Sequence, residues 1–320
     1  MLRVLAMIDV RQLEIALMSW GARFLRAVGP TESHLAVDGQ SLRRGGSGVD
    51  GETPVHGLSA VDVHTSYVVA RRQTDEKSNE ITAVPQMLQL LNLTDTLVSI
   101  DAMGCQLEIA ALVRNKKGDY LFGLKNNQPT LFAQTQIAME EALSSTKRPL
   151  DAATPLRVTR MLAGPVRNTG HGRIEEREAF VIHRASQLDA FDRWVPHAAR
   201  FEGIESIVMI KARRTNRKTG VVSEECRFYI SSRTWSAEAA NVAVRDHWTV
   251  ENKQHYVVDV TFGADQCRVH TENAATNFAC LRNVALLLLR RHKGDNASLA
   301  KRRHLASLFP HYLEFILSAA

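Results

Sequence analysis

The sequence predicts a mixed α/β fold that is interrupted by a β-rich segment, and three observations lead to this prediction. Between residues 34 and 145, short apolar runs typical of strands alternate with helical patterns, beginning with three strands in succession. Residues 151 to about 235 instead contain mostly alternating, strand-like segments. From residue 236 onward the apolar spacing is helical again. Together these indicate a mixed sheet with an antiparallel start, covered by helices.

The first half of the chain is assigned from periodicity, caps and turns. Helical spacing of Leu and Ile side chains predicts a helix over 2–27, and the strand at 34–38 ends at Gly39. A turn near His64 separates two β-branched runs, which predicts a hairpin. Ser78 and Asn79 are helix caps before an apolar pattern. The remaining elements are the hairpin strands 55–63 and 66–72, strands 96–101 and 119–124, and helices 105–116 and 129–145.

The second half is assigned in the same way. The β-rich segment contains strands at 174–182, 207–212 and 226–231. Helical spacing then predicts helices at 236–255, 273–292 and 297–317, the last in one or two pieces.

Composition and charge exclude several classes of protein. The chain has 320 residues, 45% of them hydrophobic, and a net charge of +6, which is ordinary for a globular protein. No apolar run approaches the roughly 20 residues of a membrane span. The N-terminus lacks the order of a secretory signal, and the four cysteines form no CxxC pair. We therefore expect a cytoplasmic protein with reduced thiols, without a disulfide framework, a cysteine zinc site or a membrane partner.

Three acidic residues stand at positions where a site would form. Asp38 and Asp101 each close a predicted strand, and Glu251 lies in the predicted helix 236–255. In open α/β folds sites form at the carboxyl ends of strands. Two strand carboxylates and one helix carboxylate can hold divalent cations, and a pair of such ions can activate water against a phosphodiester. The alternative for each aspartate taken alone is a turn residue or helix cap.

The helix around Glu251 carries a second pattern. His247, Glu251, His255 and Asp259 are spaced by four, so they would share one helical face. A zinc site is the rival interpretation, but HExxH is absent and a strip along a helix spreads its ligands too widely for one tetrahedral ion. A solvated helix face is the other alternative. We favour Glu251 as a metal ligand, with His247 and His255 as polar supports or phosphate contacts.

Six motifs, in order along about residues 2 to 292, resemble the H-repeat-associated group of DDE insertion-sequence transposases. They are the strings at 38–43, 76–81, 100–106, 124–128 and 171–175, and the segment from His247-Trp248 to Asp259-Val260. The resemblance implies an RNase H-like core with a mixed five-stranded sheet, an Asp–Asp–Glu triad, Mg²⁺ or Mn²⁺, and cleavage and joining of double-stranded insertion-sequence DNA. Asp38, Asp101 and Glu251 match the three acids.

The resemblance also sets the expected domain organisation. Residues 1–30 would be the remnant of an N-terminal helical region, because Met1 falls where relatives already have a preceding domain. Residues 31–150 and 236–293 would form the two parts of the core, with a β-rich insertion at 151–235 and a helical tail at 294–320. A truncated transposase that only binds DNA is the first alternative function, and an unrelated metal phosphodiesterase is the second.

The positive charge is concentrated rather than spread. Between residues 282 and 303, seven basic residues stand against one acid, which is typical of a phosphate contact or of a solubilising helix pair. A second basic set lies near residues 211–218, and Arg43-Arg44 follows the first acid. We expect a homo-oligomer on DNA, with DNA contacts from Arg43, Arg44, Lys125, Asn127, Gln128, Arg173, Arg213, Arg214, Arg245, His247, His255, Arg290 and Arg291.

Overall fold

A computed structural model describes residues 2–28, 33–41, 56–74, 80–145, 156–161, 166–170, 172–248, 250, 256–267, 269, 273–292 and 294–318. In chain order its helices and strands are α1 (Leu2–Met7), α2 (Val10–Val28), β1 (Ser33–Ser41), β2 (His56–Asp62), β3 (Tyr67–Thr74), α3 (Glu80–Gln89), β4 (Thr96–Ile100), α4 (Leu107–Asn115), β5 (Asp119–Leu124), α5 (Pro129–Ser145), β6 (Thr159–Arg160), β7 (Val166–Gly170), β8 (Arg173–His183), α6 (Leu188–Trp194), β9 (Ser206–Asn216), β10 (Val222–Ser231), α7 (Ala237–His247), α8 (Tyr256–Phe262), α9 (Ala274–Arg291), α10 (Leu299–Leu308) and α11 (Pro310–Ser318). The chain forms two compact units, a discontinuous unit of Met1–Ala83 with Trp248–Ala320 and a central unit of Val84–His247.

The discontinuous unit contains three antiparallel strands in the order β3-β2-β1. The predicted hairpin is confirmed, because β2 and β3 pair directly and Asp62 Oδ1 accepts a hydrogen bond from Thr65 N across the turn. The predicted single helix at the N-terminus is wrong in one respect. Asp9 Oδ1 accepts a hydrogen bond from Gln12 N at 2.8 Å, so it caps a second helix and divides α1 from α2.

Helices of the discontinuous unit are tied to each other and to its strands by buried polar contacts. Asn277 of α9 donates through Nδ2 to the carbonyls of Leu5 and Ile8, each at 2.8 Å. Tyr67 donates its hydroxyl to Leu17 O at 3.2 Å, and its ring packs edge-on against Trp20. These contacts fix α1, α2 and α9 around the three-stranded sheet, where the apolar side chains are buried.

The central unit is built on parallel and antiparallel strands, which confirms the predicted mixed α/β fold. β4 and β5 run parallel, as the intervening α4 requires, and β10 pairs antiparallel with β5. β9 and β8 continue the sheet beyond β10, with β6 and β7 on β8. The β-rich segment thus extends the sheet that carries β4 and β5, whereas the predicted domain boundaries remain a prediction.

The helices after residue 236 differ from the prediction in their ends. The predicted helix 236–255 differs from the described α7, which ends at His247 before a turn at Trp248, and residues 251–255 of this prediction lie outside the described part of the chain. The C-terminal helical region is in two pieces, α10 and α11, since the proline at 310 disfavours helical conformation at Phe309. None of the described helices is long and apolar enough to cross a membrane.

Candidate catalytic site

Asp101 lies where the sequence predicts a functional acid, directly after the buried strand β4. Its Oδ1 accepts a hydrogen bond from Ala102 N at 2.6 Å and so caps the 3₁₀ turn at Ala102–Gly104. The side chain is 47% exposed. Among the described residues no donor reaches its second oxygen, Oδ2. Asp101 is therefore both a turn cap, as its alternative interpretation holds, and a carboxylate with an oxygen available to a ligand.

The loop after β5 lies beside Asp101, because parallel strands end at the same edge of a sheet. Lys125 Nζ is 3.5 Å from Asp101 Oδ1 and is itself 59% exposed. Gly123 makes this approach possible, since a Cβ there would lie 3.0 Å from Ala102 N and 3.3 Å from Asp101 Oδ1. The site thus has an ammonium group next to the candidate catalytic carboxylate.

Asn127 and Gln128, both predicted to contact DNA, hold the turn that follows Asp101. Asn127 donates through Nδ2 to Ala102 O, and Gln128 donates through Nε2 to Cys105 O at 3.0 Å. These two amides therefore connect the β5 loop to the backbone that positions Asp101. DNA contact by the remaining atoms of either side chain stays a prediction.

Replacing Asn127 should loosen Asp101 without removing a group that reacts. We expect Asn127→Ala to lower strand cleavage about 10-fold and the free energy of unfolding by about 1 kcal/mol, since one side-chain hydrogen bond to a turn is lost. Asn126→Ala, in an exposed neighbour, is the control and should leave both unchanged. If Asn127→Ala and Asn126→Ala had equal effects in a cleavage assay and a urea titration, Asn127 would not position Asp101.

His247 is enclosed beneath Asp101 in the central unit. It is 7% exposed, and a hydrogen bond of 3.0 Å joins its Nδ1 to Ser99 Oγ on β4, two residues before Asp101. Burial lowers the pKa of His247 to about 4, although Asp101 and Ser99 act in the opposite direction. The imidazole is therefore neutral near pH 7. The contact with Ser99 fits the polar support that the sequence predicts, and a phosphate contact by His247 stays a prediction.

Asp38 lies within β1 of the discontinuous unit, which continues three residues beyond it rather than ending there. It is half-buried, accepts a hydrogen bond from Gly39 N at 2.9 Å through Oδ1, and stands opposite Ser59 of β2. Alternation along the strand places Asp38 on the same face as Ala36. Ala36 packs in one apolar cluster with Val250, the residue directly before Glu251.

Several predicted site residues lie outside the described part of the chain, namely Glu251, His255, Arg43 and Arg44. No group of three or more metal-binding side chains occurs among the residues that are described. The oxygen chemistry of Asp38 and Asp101 nevertheless fits a hard divalent cation, which prefers carboxylate ligands. The zinc alternative on one helical face is disfavoured, because His247 and Asp259 belong to separate helices.

The predicted basic residues of β8, β9 and α7 differ in their ion pairing. Arg213 lies 3.9 Å from Glu224, and it is 54% exposed. Arg214 is bound on both sides, by Glu175 at 3.1 Å and by Glu225 at 2.7 Å. Arg173 is exposed on β8, and Arg245 is half-buried on α7.

Arg290 and Arg291 lie at the end of α9, in the basic C-terminal region. Arg290 donates through Nη1 to Ser66 O at 2.8 Å, in the turn between β2 and β3, and burial lowers its pKa to about 10. Arg290 thus stabilises the hairpin turn, and Arg291 is half-buried. DNA contact by either residue stays a prediction.

Comparison with known proteins identifies the family. Residues 29–288 match the model of the transposase DDE domain. This chain belongs to the DDE transposase family. The transposase is 31% identical over 293 residues to "H repeat-associated putative transposase YhhI" of Escherichia coli (strain K12), which covers 89% of this chain and 71% of that relative. It is 30% identical over 289 residues to "Putative transposase YncI" of Escherichia coli O157:H7, covering 89% and 69% of the two chains.

Among solved structures, the transposase is similar to a chain in the cryo-EM structure of the piggyBac transposase synaptic complex with hairpin DNA. The TM-score is 0.40 at 10% sequence identity, and the superposition covers 90% of this chain and 54% of that chain.

Sequence reasoning missed Ser99, which fixes the buried histidine of this DDE transposase. The available signal was the hydroxyl of Ser99 among the buried apolar side chains of Leu97, Val98 and Ile100. A buried polar side chain needs a partner, and a partner for Ser99 could have been sought among the polar residues near Glu251.

Proposed function

We propose that this transposase catalyses metal-dependent cleavage of DNA strands and their transfer to a target in insertion-sequence transposition. Asp38, Asp101 and Glu251 would hold Mg²⁺ or Mn²⁺ through carboxylate oxygens. The observation that carries the proposal is Asp101 itself. It is a half-exposed carboxylate at the carboxyl edge of two parallel strands, with one oxygen fixed by the backbone and the other available.

Contacts of the segment that precedes Glu251 support the choice of the triad. In the discontinuous unit, Val250 packs with Ala36, two residues before Asp38. In the central unit, His247 bonds to Ser99, two residues before Asp101. Each unit thus contains one contact between a residue shortly before Glu251 and the strand that carries the aspartate of that unit.

Each residue near the proposed site has a role that follows from its charge and contacts. Divalent cations, when bound, supply a water of lowered pKa and stabilise the leaving oxygen of a phosphodiester. Lys125 neutralises Asp101 and offers a positive charge to an approaching phosphate. Neutral His247 anchors α7 to β4 without placing a second positive charge beneath the carboxylate.

The partner in this proposal is double-stranded DNA, both the element ends and the target. The chain would act as a homo-oligomer, since cutting and joining involve two element ends. An RNase H-like core would contain β1, β4 and β5, with β6 to β10 belonging to the β-rich insertion. Action on chromosomal DNA also fits a cytoplasmic location.

Metal dependence is the direct test of the proposed function. We expect purified protein to nick duplex DNA bearing its element ends when Mg²⁺ or Mn²⁺ is supplied and to be inactive in EDTA, because the acids alone do not activate water. Gel analysis of end-labelled DNA measures the products, and DNA with scrambled ends is the control. Binding without cleavage at any metal concentration would indicate a DNA-binding remnant. Equal cleavage of both DNAs would indicate a generic phosphodiesterase.

A further inference from the structure

The outer part of the sheet in the central unit has two chemically different faces. Side chains alternate along a strand, and directly paired residues of antiparallel strands point to the same face. One face contains Lys211 and Arg213 of β9, which both approach Glu224 of β10, and Glu176 and Glu178 of β8 are on this face too. Its acids therefore balance its basic residues.

The opposite face, which we call the Arg177 face, carries an excess of positive charge. Its charged strand residues are Arg173, Glu175 and Arg177 of β8, Arg214 of β9, and Glu225 and Arg227 of β10. Arg214 bridges Glu175 and Glu225, and Arg227 also bonds to Glu225 at 2.6 Å. Both acids are thereby bound by other arginines, and Arg177 forms no ion pair with a described residue of this face.

Arg177 is buried. It is 9% exposed, and its enclosed Nε makes no hydrogen bond within the part of the chain that the structure describes. Burial lowers the pKa of Arg177, and the charges of Arg245 and Arg214 lower it further, while Glu175 and Tyr229 act in the opposite direction. An unpaired guanidinium in such a position is costly, and native proteins rarely keep one without a ligand for it.

Arg245 is the second unpaired cation near this position. It lies on α7, which packs against β8 and β9, and is half-buried. Within the described part of the chain, neither Arg177 nor Arg245 donates a hydrogen bond or forms an ion pair. Since α7 packs against β8, the charge of Arg245 is close enough to lower the pKa of Arg177, and two such like charges repel unless an anion lies between them.

We propose that Arg177 and Arg245 form a binding site for a backbone phosphate of DNA, away from the metal-binding acids. Guanidinium groups bind phosphate oxygens in pairs of parallel hydrogen bonds, which suits two arginines presented by a strand and a helix. The exposed Arg173 on the same face would extend the contact along the backbone. This inference rests on the proposed function for the identity of the partner as DNA, but the anion site can be tested without DNA.

The DNA test compares Arg177→Met and Arg245→Met with the matched control Arg200→Met, which removes an exposed arginine shortly after α6. Fluorescence anisotropy of a labelled duplex, measured over a range of KCl concentrations, gives affinity and salt dependence. We expect each of the first two variants to weaken binding about 10-fold. The slope of log affinity against log salt should fall by about 1 in each, while Arg200→Met changes affinity less than twofold. Wild-type affinity in Arg177→Met would overturn the proposal.

Thermal unfolding separates this role from a structural one. Because an unpaired buried charge is removed, Arg177→Met should melt at or above the wild-type temperature. A large drop in the melting temperature of Arg177→Met, or an equal loss of DNA binding in the Arg200→Met control, would overturn the proposal.

An inorganic anion tests the site independently of DNA. At constant ionic strength, sulfate should raise the melting temperature of the wild type and have no such effect on Arg177→Met. Failure of the wild type to bind duplex DNA would overturn the proposed function, and a sulfate effect lost in Arg177→Met would still support the anion site. Equal sulfate effects on both proteins would overturn the anion site.

Discussion

Asp101→Asn is expected to abolish strand cleavage, with a loss of about 1,000-fold or more, because metal-ion catalysis contributes several kcal/mol to the barrier. The amide keeps an oxygen that can accept from Ala102 N, so the turn after β4 should persist. The amide lacks the negative charge that a divalent cation requires. In the wild type, the same charge faces Lys125. The measurement is gel analysis of end-labelled element-end DNA with saturating Mg²⁺, at equal protein concentrations.

Two comparisons make this result interpretable. Asp189→Asn, in an exposed acid of the first turn of α6, makes the same chemical change away from the site and should cleave as the wild type does. DNA affinity of Asp101→Asn, measured without metal, should stay within a few-fold of the wild type. Cleavage that survives in Asp101→Asn would remove this residue from the catalytic triad.

His247→Asn is expected to remove a pH dependence from the stability of the transposase. Folded His247 has a pKa of about 4, below the ordinary value of 6.5. Between these values the unfolded chain binds a proton that the folded chain does not, so stability falls as the pH is lowered from about 6.5 to 4. The corresponding loss is about 3 kcal/mol. Above pH 6.5 the residue is neutral in both states and contributes no pH dependence.

Asparagine keeps a polar group near the position of Nδ1, so the contact with Ser99 can form, but it does not titrate. Because the smaller side chain leaves a cavity, His247→Asn should be less stable than the wild type by about 1–2 kcal/mol at pH 7. This difference should vanish or reverse by pH 4. His304→Asn, in an exposed histidine of α10, is the control and should show the wild-type pH profile. Parallel urea-stability profiles for wild type and His247→Asn would contradict a buried, neutral His247.

The local elements were largely predictable because their signals lie within a few neighbouring residues. Strand β5 and helix α5 have the predicted bounds, and the hairpin of β2 and β3 follows from two β-branched runs around a turn. The helix boundaries that failed depend on single side chains. Asp9 caps α2, and α7 stops at His247, whose side chain is buried against Ser99. Periodicity alone contains no information about either contact.

The candidate site likewise combines contacts that could be predicted from the sequence with contacts that could not. Asp101 and Lys125 could be predicted as neighbours, because an acid and a base that follow two parallel strands emerge at one edge of a sheet. The hydrogen bond between Ser99 and His247 could not, since 148 residues separate the partners. The charges on the two faces of the sheet formed by β8, β9 and β10 could not be predicted either, because the strand register decides which arginines lie beside acids.

By itself, the sequence determined the family, the α/β class and the position of Asp101 directly after β4, because these depend on residue order and local pattern. Only the tertiary structure decided that His247 is buried and bonded to Ser99, and that Arg177 is buried without an ion pair to another described residue. The physical reason is that burial and pairing depend on which distant residues share a face or an interior. The same arginine or histidine is a solvated surface charge or a costly buried one according to its neighbours.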